Sequence, residues 1–172
     1  MNLEKKIQEL RNELAQRNDL SIEFTYYSIQ NWFNKISTLF DKSQNLKPDE
    51  IERLNELKYY LNLNFHEHNF DNDWNSIKLD LALFSENKKQ LSALNSMVLI
   101  RDILHKFLIF EINTTCPKCL NSSLRCYSSS KDLYYECDNC TSLFDSNLNH
   151  LIITPKLIPA PKSLLIEKGI LK

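Results

Sequence analysis

The sequence predicts a mainly α protein with a small β module: a bundle of about five helices over residues 1–112, a cysteine-stapled β segment over 113–150, and a Pro-containing apolar tail over 151–172. Three observations lead there. Apolar residues in the first two thirds recur at spacings of three and four, the period of an amphipathic helix. Gly169 is the only glycine, where average usage of about 7% would give about twelve, and turn-rich sheet needs more. Four of the five cysteines fall into two C-x-x-C pairs late in the chain.

The helices follow in order. Over residues 3–18, Leu3, Ile7, Leu10 and Leu14 are spaced four, three and four among good helix formers. Over 21–41 the stripe is Ile22, Tyr26, Ile29, Phe33, Ile36 and Phe40, widened by Trp32 and Leu39, with Asp19 or Ser21 as the cap. Because this stripe is heptad-like, residues 3–40 also suit a protruding helical hairpin. Pro48, Asp49 and Glu50 read as the first turn of a third helix, with acids at its positive end, carrying Ile51, Leu54, Leu57, Tyr60 and Leu61. The polar run 64–73 reads as a loop. A fourth helix places Trp74, Ile77, Leu81 and Phe84 on one face. A fifth, over 88–110, carries Leu91, Leu94, Val98, Arg101, Leu104 and Leu108 and is apolar on several sides, which suits the centre of a bundle. The aromatic residues of these stripes are expected as core.

The cysteines dominate the chemistry. Cys116 and Cys119 form one pair and Cys137 and Cys140 the other, with seventeen residues between the pairs. Two thiolates from each turn suit one tetrahedral zinc ion, and the intervening stretch suffices for a hairpin of 123–129 with 132–137, Tyr134 and Tyr135 pointing to opposite faces, followed by a strand near 142–145. Over about 35 residues this pattern resembles the zinc-ribbon class, which implies a structural zinc. One departure stands out: ribbon turns often carry glycine just after the second cysteine, and here Leu120 and Thr141 stand there, where a positive φ is strained for Leu and more so for β-branched Thr. An all-thiolate shell is closed, with no position for water or substrate, and metal binding would supply folding free energy that a segment with few apolar residues lacks. Cys126 is expected as a half-buried strand residue rather than a spare ligand or reactive thiol.

Other chemistry is sparse. The glycine count excludes Walker, dinucleotide-binding and kinase-type phosphate loops, which need backbone approach without a Cβ. Arg101 and His105 lie four apart on the fifth helix. They resemble the Arg-to-His motif of the HEPN ribonucleases, which spaces the pair wider, so the expectation is an Arg and a His satisfied by neighbouring carboxylates and no enzyme activity. His66 and His68 flank Glu67 in an acidic stretch. A zinc deaminase would place such a motif just ahead of its cysteine pair, but Cys116 lies about fifty residues on.

Charge weighs on partners. Residues 113–172 carry seven Lys/Arg against five Asp/Glu, and four thiolates with one zinc would cancel that excess; residues 1–112 carry fourteen against seventeen. Neither part has the basic stripe that phosphate contacts call for, although Lys118, Arg125 and Lys131 with Tyr127, Tyr134 and Tyr135 would make a small patch. Glu67, Asp71, Asp73 and Asp80 form an acidic cluster suited to a basic partner. The expected function is therefore a non-catalytic protein-binding module of the bacterial or phage immunity, antitoxin or inhibitor type; the alternative is a nucleic-acid-binding zinc-ribbon regulator. An odd cysteine count and a charged start favour the cytoplasm. The most apolar stretch, Met97 to Ile112, is too short for a membrane span and is broken by Arg101, Asp102, His105, Lys106 and Glu111. In the tail, Leu151, Ile152 and Ile153 read as a strand and Pro155, Pro159 and Pro161 as extended chain. Leu157, Ile158, Leu164, Leu165 and Ile166 are expected to pack on the body or on a partner.

Overall fold

In the computed structural model, which describes residues 3–16, 21–40, 46–70, 74–86, 91–152 and 156–172, the apolar stripes become helices. Helix α1 (Leu3–Ala15) buries Leu3, Ile7, Leu10 and Leu14, and also Arg11. Helix α2 (Ile22–Phe40) buries Tyr26, Ile29, Trp32, Phe33 and Ile36. Ser21 caps it, accepting from the Phe24 N–H at 3.1 Å; Asp19 and the Leu39 and Phe40 side chains lie outside the described residues. Helix α1 lies against both α2 and α5 (Trp74–Glu86), and the Trp32 indole donates to the Lys6 carbonyl at 2.7 Å. Helix α1 is thus packed on a third helix, so α1 and α2 do not protrude as a free hairpin.

Helix α3 (Pro48–Leu61) starts as its sequence dictates. Pro48 opens it, and the Glu50 carboxylate reaches back to the Lys47 N–H at 2.9 Å. Leu54, Leu57, Tyr60 and Leu61 are buried, while Ile51 faces outward. The end of α3 is closed from α2. The Tyr26 hydroxyl lies 3.2 Å from both the Leu61 and Leu63 carbonyls, and Gln30 donates to Leu61 O at 2.9 Å, so carbonyls that a helix end leaves unpaired find donors.

Helix α5 buries Ile77, Leu81 and Phe84 as expected. The next long helix, α6 (Ala93–Leu108), is capped by Ser92, whose hydroxyl accepts from the Asn95 N–H at 3.2 Å; the expected start at 88 lies outside the described residues. Its buried face runs through Ala93, Met97, Ile100, Leu104 and Phe107, with Leu94 and Val98 only half-buried. A helix apolar on several sides leaves periodicity unable to choose its face. The choice falls where Arg101 stays partly wet, next to Asp102 and Glu56. No helix among the described residues is long and apolar enough to cross a membrane.

Two departures concern short helices. The stretch read as a loop contains one helical turn, α4 (Phe65–His68), capped by the Asn64 side chain. The tail, read as extended, ends in a helix, α7 (Lys162–Glu167). Gly169 terminates it at φ 70°, with its N–H on Ile166 O and the Ile170 N–H on Leu165 O, both 2.9 Å. The chain's single glycine sits where a left-handed residue closes a helix.

The sheet is antiparallel, in the order β1 (Glu111–Ile112), β2 (Leu124–Ser129), β3 (Asp132–Cys137), β4 (Leu143–Asp145). Strand β5 (Ile158–Pro159) pairs Tyr127 and Ser128 of β2 on the side where β1 pairs Leu124 and Arg125, so two short strands share one edge. The other edge is covered where the Leu151 N–H meets Leu143 O at 2.8 Å. Neither long strand leaves an open edge for another chain. The β2–β3 turn places Ser130 and Lys131 at φ 52° and 83°, a two-residue hairpin loop made without Asn or Gly.

The chain forms two compact units. One comprises residues 1–63 and 73–106, and the other 64–72 and 107–172. The second therefore starts before residue 113 and includes both α4 and the tail. Its core joins Leu124, Leu133, Tyr135 and Phe144 of the sheet to Phe70, Ala160, Leu164 and Leu165, with Cys116, Cys126 and Cys137 among them. At about 1.5–3 kcal/mol for each large apolar side chain buried, Phe70, Leu164 and Leu165 together contribute on the order of 5–9 kcal/mol before entropy. The second unit thus has an apolar core of its own beside whatever a metal supplies. Residues 153–155, with Ile153 and Pro155, lie outside the described residues.

Burial pushes the Tyr26 phenol up to about 12 and Tyr59 likewise to about 12, from 10.0. The folded chain then holds phenol protons that the unfolded chain releases, so stability is intact below pH 10 and falls as pH rises towards 12. Denaturant melts at pH 8 and pH 11 are expected to show this loss. Tyr26→Phe should shrink it while costing about 1 kcal/mol at neutral pH through the unpaired Leu63 carbonyl.

Candidate metal centre

Each cysteine pair sits on a tight turn at the edge of the sheet, and the two turns share one hydrogen-bond pattern. In the first, the Leu120 N–H bonds Cys116 O at 3.0 Å and the Cys116 N–H bonds Asn121 O at 2.7 Å. In the second, the Thr141 N–H bonds Cys137 O at 2.8 Å and the Cys137 N–H bonds Ser142 O at 3.0 Å. Closing both turns requires the residue after the second cysteine to be left-handed. Leu120 has φ 63° and Thr141 φ 53°. The positions flagged by the missing glycines are therefore the strained ones, at about 1–2 kcal/mol each for a residue with a Cβ.

This brings the four sulfurs together. All ligand atoms of Cys116, Cys119, Cys137 and Cys140 lie within 4.8 Å of one another. Cys116 Sγ is 3.7 Å from Cys140 Sγ, and Cys119 Sγ is 3.4 Å from Cys137 Sγ. These separations far exceed the roughly 2.05 Å of a disulfide and lie near the roughly 3.8 Å edge of a tetrahedron with metal–sulfur bonds of about 2.3 Å. The donor set fits one thiophilic ion, consistent with a zinc-ribbon-like site. Cys116, in the β1–β2 connection, and Cys137, at the end of β3, are buried in the core, whereas Cys119 and Cys140 are partly exposed.

Neighbouring dipoles prepare the sulfurs to ligate. Hydrogen bonds from the Ser142 side chain and backbone pull Cys140 down to about 6. The Asn121 backbone, and then the Asn139 amide 3.5 Å from the sulfur, lower Cys119. Burial pushes Cys137 up to about 11. The exposed pair is thus biased towards thiolate, the form that binds metal, and a cation would offset the rise at Cys137. Sequence reading missed Asn121 and Ser142. The signal was present: both pairs are followed at the same offset by a small polar residue, in Cys-Pro-Lys-Cys-Leu-Asn and Cys-Asp-Asn-Cys-Thr-Ser.

Other candidates are placed differently. Cys126 lies outside the cluster and is wholly buried rather than half-buried; burial, and then Glu111, push it up to about 12, so it is an unreactive core thiol. Arg101 is tied to Asp102 at 2.7 Å and to Glu56 at 3.6 Å, while His105 packs edge-on against Tyr60 with ring centroids 4.5 Å apart. His68 is buried, its ring nitrogens 3.0 and 3.3 Å from the Asn64 and Pro159 carbonyls, so both face protein rather than a metal; His66 is exposed. Of the acidic cluster, Asp80 pairs with Lys106 at 2.7 Å and Glu67 accepts from the Ser163 N–H at 3.4 Å, while Asp71 and Asp73 lie outside the described residues. In the basic patch, Arg125 is held by Asp138 and Glu111, and Tyr127 and Tyr135 are buried, which removes them as stacking surfaces for bases.

Purified protein is expected to carry about one equivalent of a thiophilic metal per chain, the stoichiometry of a four-thiolate site, with Cys116→Ser falling below about half of that by elemental analysis. Leu120→Gly relieves the positive φ, and the Leu120 side chain is 78% exposed. Offset by the glycine entropy cost of about 0.5–1 kcal/mol, the gain should be up to about 1 kcal/mol, seen as slower metal release to a chelator. Comparison of the chain with known protein families, curated proteins and solved structures finds no match.

Proposed function

We propose that the chain is a non-catalytic protein-binding module whose C-terminal unit is a zinc ribbon holding one structural zinc ion. The observation that carries this reading is the closed four-thiolate cluster, which offers a metal no open position for water or substrate. Zinc suits it because it is redox-inert and indifferent to ligand-field geometry. A reducing compartment such as the cytoplasm would keep the thiols available.

What supports a protein partner is the outer face of α5. Leu79 and Leu83 stand one helical turn apart, 67% and 49% exposed. An exposed leucine pair on a helix is a usual anchor for recognition by another protein. With Asp80 engaged by Lys106, this apolar pair replaces the acidic cluster as the favoured contact surface. The type of module that fits remains the immunity protein, antitoxin or inhibitor, which acts by covering a partner.

The test is affinity capture by the full metal-loaded chain from its native host, with nucleic acid digested. One stoichiometric protein is expected, and Leu79→Asp with Leu83→Asp should weaken its capture by at least about tenfold, or roughly 1.4 kcal/mol. Salt-sensitive retention of RNA or DNA with no such protein would overturn the proposal in favour of a nucleic-acid-binding regulator.

A further inference from the structure

Arg11 is an anomaly in the helical unit. It is 3% exposed on the inner face of α1, and an arginine stays charged even when buried. Its described partners are neutral. One Nη2 proton goes to the Ser96 hydroxyl, and the guanidinium carbon stands 5.1 Å over the Phe84 ring. Ser96 passes its own proton to the Ser92 carbonyl at 2.8 Å, which leaves its oxygen free to accept from Arg11. Among the described residues no carboxylate lies within ion-pair distance of Arg11, and its buried Nε has no hydrogen-bond partner. A guanidinium has five N–H donors, and a buried cation without an anion is costly.

The same residue lines a cavity of about 190 Å³, more than a single water needs. Its wall has two characters. Arg11, Ser96 and Gln8 are polar; Ile7, Leu91 and Ala93 are apolar. Glu4 also lines it and adds negative charge.

We infer that this cavity is a binding site for a small organic monocarboxylate, whose carboxylate completes the Arg11 ion pair while a short alkyl portion lies on the half-buried Leu91. A planar carboxylate matches the guanidinium fork in a two-point pairing. Glu4 works against a doubly charged anion such as phosphate, and the apolar wall has nothing to offer a bare halide. The site is independent of the metal centre and of the α5 leucines.

The test uses the full metal-loaded chain and sodium butyrate as probe, with sodium chloride and sodium phosphate at matched ionic strength. The expected result is a saturable shift of the Arg11 Nε–H resonance and a rise in thermal midpoint with butyrate alone. Arg11→Met keeps the length and apolar stem but removes the charge. It should stay folded and weaken butyrate binding by at least about tenfold. If it does not fold, Ser96→Ala provides the same comparison with a smaller weakening. A butyrate response unchanged in these variants overturns the inference, as does no response of the Arg11 signal to butyrate, or a larger response to phosphate.

Discussion

Four sulfurs within 4.8 Å of one another constrain everything in the second unit. As thiolates they repel at distances where unit charges interact by several kcal/mol even in a polarisable surrounding. Only a cation among them, or protons on most of them, makes the arrangement tolerable. The rest of the unit follows. Two turns adopt left-handed residues at Leu120 and Thr141 to aim their cysteines, and hydrogen bonds from Asn121 and Asn139 to Cys119, and from the Ser142 hydroxyl and backbone to Cys140, favour the thiolate of both. Cys116 and Cys137 belong to the apolar core as well as to the cluster, so sheet packing and metal geometry are fixed by the same two side chains.

The helical unit is organised by polar groups placed where apolar periodicity alone would leave gaps. Tyr26 closes the end of α3, Trp32 reaches into α1, and Arg11 stands where a leucine would be the ordinary choice. Each puts a long side chain across a helix–helix boundary with a named acceptor or ring at its tip. Such contacts discriminate between alternative packings of amphipathic helices, because a shifted helix would leave a buried donor unpaired.

What the sequence made legible was local and periodic. The stripes of α1 to α3 and α5, the Pro48 start, the Ser21 cap and the β2–β3 hairpin all rest on interactions within a few residues. The four ligands were readable because metal spacing is a chemical rule independent of the fold. The rest depended on distant partners. The buried face of α6 was ambiguous because several of its faces are apolar. Helix α7 was hidden behind three prolines, although Pro161 before it and Gly169 after it are the usual punctuation of a helix. Phe70 gave no sign that it belongs with Leu124 and Leu165, since that pairing spans the intervening chain. Arg11 reads as a solvent-facing helix former, and only its burial distinguishes it.

The second unit takes one stretch from the middle of the chain and the rest from its last third. This has a consequence for how such a protein is made and inherited. During synthesis, residues 64–72 leave the ribosome well before Leu164 and Leu165, so Phe70 must wait for most of its core. A gene fragment cut at the cysteine segment alone would lack α4, β5 and α7. The cysteine segment is therefore not a cassette that recombination can lift out intact; its gain or loss must involve residues 64–72 as well as the last third of the chain.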